Sequence, residues 1–200
     1  MSHLPANRPA VFLDRDGTLI EDRGWLRGPD DVVFYPQTIP ALRDLATNFA
    51  LFIVTNQCGV ADGFLHKEEV ARVNAHVVAT LGAAGIPIVG VYCCPHRRDE
   101  NCACIKPKPY FLEKAAREHG IDLARSFVIG DHPHDVELAV NAGAQGIYVL
   151  TGHGVKHRAE LDARAIVVAD IAAAVEHIRF WFTRAAESGR AHRQPTTVEK

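Results

Sequence analysis

The chain has 200 residues, 48% of them hydrophobic and 23% charged, with a net charge of −2. That composition fits one globular domain large enough to bury a core. It lacks the basic stripe of a nucleic-acid binder and any apolar run near the ~20 residues that cross a bilayer. The opening Met1-Ser2-His3-Leu4-Pro5 has no basic segment leading into an apolar one, so no secretory leader is expected. The expectation is a cytoplasmic monomer with no membrane or nucleic-acid partner.

Ala10-Val11-Phe12-Leu13 reads as a buried strand that runs out into the polar, turn-forming Asp14-Arg15-Asp16-Gly17-Thr18. Residues 39–49 place Ile39, Leu42, Leu45, Ala46 and Phe49 on one helical face. Leu51-Phe52-Ile53-Val54 is a second buried strand, ending at Thr55-Asn56-Gln57. A helix over 67–81, a strand over 88–92 and a helix over 109–118 follow. A fourth strand over 126–129 is broken by Gly130-Asp131, and the helix over 135–142 closes on Gly143. Residues 146–150 form a fifth strand, 165–168 a candidate sixth and 171–182 a last helix. The polar stretch 186–200 reads as a disordered tail, which leaves 1–185 as a single domain.

Strands alternating with helices predict an α/β fold with a Rossmann-like, doubly wound parallel sheet. Ligands bind such sheets at the carboxyl ends of the strands, so Asp14, Thr55 and Asp131 should converge at one edge. Two carboxylates two positions apart, Asp14 and Asp16, can share a magnesium ion. One can also attack phosphorus while the other exchanges a proton with the leaving oxygen. Gly17 lets backbone approach a phosphate closely. The competing reading of this segment is an ordinary turn. Thr55 offers a hydroxyl and an N–H to a phosphate, or an N-cap. Lys106 offers a charge to the phosphate and the nucleophile, or a solvated surface charge. Asp131 offers another magnesium carboxylate, and Asp135 either positions its loop or caps the next helix.

Of the five cysteines, Cys94, Cys102 and Cys104 stand with His96 in a Cys-x-His…Cys-x-Cys run. That odd, clustered set is no disulfide framework. Three thiolates and an imidazole are the donors of a closed tetrahedral zinc site, against the alternative of a chance run of reduced thiols. The site would fasten an irregular loop and place Lys106, two residues beyond its last ligand. Cys93 is expected to point the other way, towards the core, and Cys58 to be a loop hydrophobe.

These motifs together resemble the haloacid dehalogenase (HAD) superfamily of phosphatases, subfamily IIIA. The resemblance runs from about Val11 to Gly152 and rests on Asp14-Arg15-Asp16-Gly17-Thr18, Thr55-Asn56-Gln57, Lys106, and Gly130-Asp131 with Asp135. It implies a nucleophile at Asp14, a general acid/base at Asp16, and magnesium held by Asp14, the Asp16 backbone carbonyl and Asp131. Thr55 and Lys106 join the catalytic set, with Gly17, Thr18, Asn56 and Gln57 at the substrate. The segments between motifs leave no room for a lid domain, so a capless, open site is expected for a small phosphorylated metabolite. The zinc loop and the segments at 12–19, 55–61, 22–25 and 151–152 resemble heptose 1,7-bisphosphate 7-phosphatases. The five-residue spacer in the zinc loop is more like the histidinol-phosphate phosphatases. Ile105, Asp62 and His132 depart from the heptose pattern, each replacing a basic residue. His132 and His134 either restore some of that charge or are surface histidines. A zinc-stabilised binding protein of the same fold, weak in catalysis, is the alternative of another class.

Overall fold

In the computed structural model, which describes residues 7–191, six parallel strands form one sheet in the order β3-β2-β1-β4-β5-β6. The strands are β1 (Ala10–Leu13), β2 (Ala50–Asn56), β3 (Ile88–Cys94), β4 (Phe127–Gly130), β5 (Gln145–Val149) and β6 (Ile166–Val168). The helices are α1 (Thr38–Leu45), α2 (Lys67–Ala83), α3 (Tyr110–His119), α4 (Pro133–Asn141), α5 (Gly154–His157) and α6 (Ile171–Ala191). This is the doubly wound α/β fold the alternation implied.

Both faces of the sheet are covered, which is why its strands read as continuous apolar runs rather than alternating ones. Val11, Leu13, Leu51, Ile53, Phe127 and Ile129 pack with residues of α1, α2 and α6. Ala10, Phe12, Phe52, Val54 and Val128 point the opposite way, onto Leu112 and Ala115 of α3 and Leu138 and Ala139 of α4. The strict two-residue alternation of a strand divides the core into these two layers.

Several boundaries differ from the sequence reading. The helix expected over 39–49 stops at Leu45, because Thr47 Oγ1 donates to the Asp44 carbonyl at 2.8 Å and turns the chain out. Phe49 is buried all the same, at the entrance to β2. β2 and β3 run on to Asn56 and Cys94, so Thr55 and the first cysteine of the cluster are strand residues. α5 was not foreseen; four residues carry too little periodicity. The expected tail, 186–200, overlaps α6 as far as Ala191 and otherwise lies outside the described residues. No helix among the described residues is long and apolar enough to cross a membrane.

The strand order reverses at β1, with β2 and β3 on one side and β4, β5 and β6 on the other. The carboxyl ends of β1, β2 and β4 therefore open together at the switch point, where such sheets take ligands.

Candidate active site and metal centre

Asp14 leaves β1 with its N–H on the Ile129 carbonyl at 2.9 Å, so the β1–β4 pairing itself sets its position. The chain then turns through Gly17 at φ +80°, and a Cβ there would lie 2.1 Å from Asp131 Oδ2. Only glycine allows both that backbone and that approach. Asp131, at the end of β4, accepts from the His153 N–H at 2.7 Å, while Thr151 Oγ1 donates to the Gly17 carbonyl at 2.6 Å. The β5–α5 loop thus clasps the other two.

Lys106 is 5% exposed, not a solvated surface charge. Its Nζ donates to Asp14 Oδ1 at 2.5 Å, Asp135 Oδ1 at 2.7 Å and the Val54 carbonyl at 3.2 Å. Burial by itself would lower this ammonium's pKa, but Asp135 and Asp14 outweigh burial and hold it above its ordinary value. Asp135 also accepts from the His132 N–H at 3.2 Å, so it caps α4 and pairs with the lysine at once. Both readings of that residue hold together.

Thr55 sits in β2 and is no N-cap. Gln57 Nε2 donates to Thr55 Oγ1 and to Asp16 Oδ2, each at 2.8 Å. Asn56 Oδ1 accepts from the Lys106 N–H at 3.2 Å, which ties the lysine's backbone to β2. Thr18 is buried with its hydroxyl 3.4 Å from Asp14 Oδ2. Asp16 turns its carboxylate away from Asp14, onto the Arg15 guanidinium at 2.8 Å. Arg15 is 1% exposed and is anchored at Asn74 Oδ1 of α2 at 2.6 Å. Sequence reasoning gave Arg15 no role, although it stood inside the motif. A charge is assigned to a partner only when the partner's distant position is known.

Oxygens of Asp14, Asp131 and Asp135 lie within 4.8 Å of one another. Three buried carboxylates face one buried ammonium, and Asp16 is balanced separately by Arg15. The cluster thus has acid in excess by two charges, and burial raises Asp14 well above the usual carboxylate range and Asp131 to about 7. Hard oxygens carrying surplus negative charge are the donor set of a divalent cation such as magnesium. The carboxylate of Asp16 is not in this cluster, so only its backbone carbonyl remains for the metal role expected of that residue.

The second cluster, on the loop after β3, brings Cys94, His96, Cys102 and Cys104 within the same 4.8 Å. Its sulfurs are 3.3–3.6 Å apart, and His96 Nδ1 is 3.4 and 3.7 Å from two of them. Sulfurs at ~2.3 Å from a tetrahedral zinc stand about 3.8 Å apart, so the set fits that ion with little movement. Cys94 also offers its carbonyl to the Gln57 N–H at 2.7 Å, which joins the loop to the site. Cys93 faces away from this cluster as expected, but it is half-buried and lines a ~280 Å³ cavity with Val70 and Asn74 rather than entering the core.

A family model described as HAD-hydrolase-like matches residues 103–175. The chain is 37% identical over 182 residues to the D-glycero-beta-D-manno-heptose-1,7-bisphosphate 7-phosphatase of Photorhabdus laumondii, covering 86% of this chain and 97% of that one. It is 35% identical over 162 residues to the protein of that name from Escherichia coli K12, covering 76% and 84%. Among solved structures, the D,D-heptose 1,7-bisphosphate phosphatase from B. bronchiseptica, complexed with magnesium and phosphate, matches with a TM-score of 0.79 at 29% identity, over 86% of this chain and 99% of that one.

Proposed function

The chain belongs to the HAD-like phosphatases, and on that premise we propose that it removes the 7-phosphate of D-glycero-D-manno-heptose 1,7-bisphosphate with magnesium as cofactor. The observation that carries the reading is the buried contact between Lys106 and Asp14, at 2.5 Å, beside a cluster with acid in excess. In this reading Asp14 is the nucleophile. Its Oδ1 is held by Lys106, and Oδ2 is left to form the bond to phosphorus as the ester P–O bond breaks. Asp16, oriented by Arg15 and Gln57, gives its proton to the leaving oxygen. It then takes a proton from the water that attacks the aspartyl-phosphate, and Asp14 is released with inorganic phosphate.

Asp14, Asp131 and the Asp16 carbonyl would hold magnesium, with Asp135 adding to the negative field. Bound magnesium supplies charge neutralisation and polarisation at the phosphoryl oxygens. Lys106, the Thr55 hydroxyl and the backbone N–H groups of the Asp14–Thr18 turn stabilise the charge that develops there. Cys94, His96, Cys102 and Cys104 would hold zinc, which would keep Lys106 in register without taking part in the chemistry. The same reading has the enzyme working as a cytoplasmic monomer, without nucleic-acid or membrane partners.

The test is magnesium-dependent phosphate release across a panel of heptose bisphosphates, histidinol phosphate, other sugar phosphates and an aryl phosphate. Turnover of the heptose bisphosphate well above the rest is expected. A preference for histidinol phosphate would reassign the substrate. Silence across the panel from folded, zinc-loaded protein would leave a binding protein of this fold instead.

A further inference from the structure

Two arginines stand side by side in the zinc loop with different surroundings. Arg97 Nε donates to Asp99 at 3.0 Å and lies 3.9 Å from Asp62, so its charge is already met. Arg98 is exposed and makes no ion pair among the described residues. Its Nη1 reaches the Lys106 carbonyl at 3.5 Å, and its Nη2 lies 3.2 Å from His134 Nδ1. Those contacts pin it beside the site, since Lys106 binds Asp14 and His134 directly precedes Asp135. His132 stacks on His134 with ring centroids 4.4 Å apart, and His157 of α5 closes on His132 at 4.7 Å. The zinc loop, the β4–α4 turn and α5 thus meet at one rim of the carboxylate pocket.

His134 Nδ1 faces the Arg98 guanidinium and also lies 2.6 Å from His132 Nδ1, which in turn lies 3.3 Å from the His134 backbone N–H. With the protons of both rings on Nε2, His134 Nδ1 accepts from Arg98 and His132 Nδ1 from the backbone N–H. One guanidinium N–H thus goes to His134 and one to the Lys106 carbonyl, and its other donors have no acceptor among the described residues. A planar guanidinium with spare donors and no carboxylate is built to take a phosphate.

We infer that Arg98, backed by His134 and His132, binds the phosphate of the substrate that is not transferred. This rests on the phosphatase reading above and adds to it the residue that selects a bisphosphate. Arg98 recruits the second phosphate at the open rim while the first lies against Asp14, without a lid to enclose either.

The test compares kcat and KM for D-glycero-D-manno-heptose 1,7-bisphosphate and for the corresponding 7-phosphate, using the full-length zinc-loaded protein, Arg98→Ala, Arg98→Lys and His134→Ala. The wild type should prefer the bisphosphate. Arg98→Ala should cut that preference by about 10- to 100-fold, chiefly through KM, as loss of a charge-assisted hydrogen bond does. Arg98→Lys should restore part of it, and metal analysis should find zinc retained. His134→Ala, which leaves the arginine in place but unpinned, should reduce the preference by a smaller factor. An equal loss on both substrates, with the preference intact, would show that Arg98 only supports Lys106, and the inference would fall. A wild type indifferent to the second phosphate would also overturn it. Absence of turnover on any phosphomonoester would instead remove the phosphatase reading itself, so the two failures are distinct.

Discussion

The two metal-type clusters are built by opposite means. All four zinc-type ligands lie between Cys94 and Cys104, on one loop. The carboxylate cluster draws Asp14 from β1 and Asp131 and Asp135 from β4 and α4, and it is locked by Lys106 from a fourth segment. A local set can close around its ion while the rest of the chain is still assembling, and the ion's binding energy then becomes folding energy for that loop. The carboxylate set exists only once β1 and β4 have paired. It gathers like charges that oppose the fold until a cation arrives. One cluster is local and soft, and the other is assembled by the fold and carries surplus negative charge.

The sharpest way to break that contrast is Asp14→Asn. Turnover should fall by about 10⁴-fold or more, as loss of a nucleophile does. The melting temperature of metal-free protein should hold or rise, because one of the crowded carboxylates is gone. A large drop in stability would mean that Asp14 supports the fold rather than the chemistry. Cys104→Ser comes next and should show the reverse weighting. Zinc stoichiometry should collapse and the melting temperature fall by about 5 °C or more. Turnover should fall by about 100-fold as Lys106 loses its register. Intact zinc content, measured by elemental analysis, would remove Cys104 from the ligand set.

A pH series reads the surplus charge directly. Burial moves the Asp131 carboxyl from 3.8 to about 7, so the folded metal-free protein holds a proton that the unfolded chain releases between those values. Stability of the stripped protein should therefore fall as pH rises through that window. Saturating magnesium should flatten the slope by compensating the ionised form. Chemical denaturation with and without magnesium measures both, and identical slopes would argue against a cation at this carboxylate. The smallest effect is expected at Cys93→Ser. This thiol lies next to a ligand in sequence but on the opposite side of its strand, so zinc content should not change and stability should move by about 1 kcal/mol or less.

Much of this was legible in the chain. The alternation of apolar runs with helical periods pointed to a doubly wound parallel sheet, because burial on both faces leaves a strand no polar positions. The Cys-x-His…Cys-x-Cys run gave the second cluster whole, because its spacing is its geometry. Asp14, Asp131 and Lys106 were visible as punctuation at strand ends and in a conspicuous loop. Arg15 was not, and neither was the double duty of Asp135, since each depends on a partner far along the chain. Gln57 and Asn56 were expected at the substrate. Their side chains are spent on Asp16, Thr55 and the Lys106 backbone, a choice that only three-dimensional proximity makes.

The sequence by itself determined the fold class, the polar residues that end the strands and the chemical softness of each cluster. These follow from residue type, period and local spacing, which are properties of the chain. The tertiary structure alone decided that Lys106 is buried between two carboxylates, that Arg97 is neutralised while Arg98 is not, and that three histidines gather beside it. The burial of Lys106 and the gathering of the histidines are set by the parallel register of strands distant in sequence, and Coulomb energies depend on the separations that this register fixes.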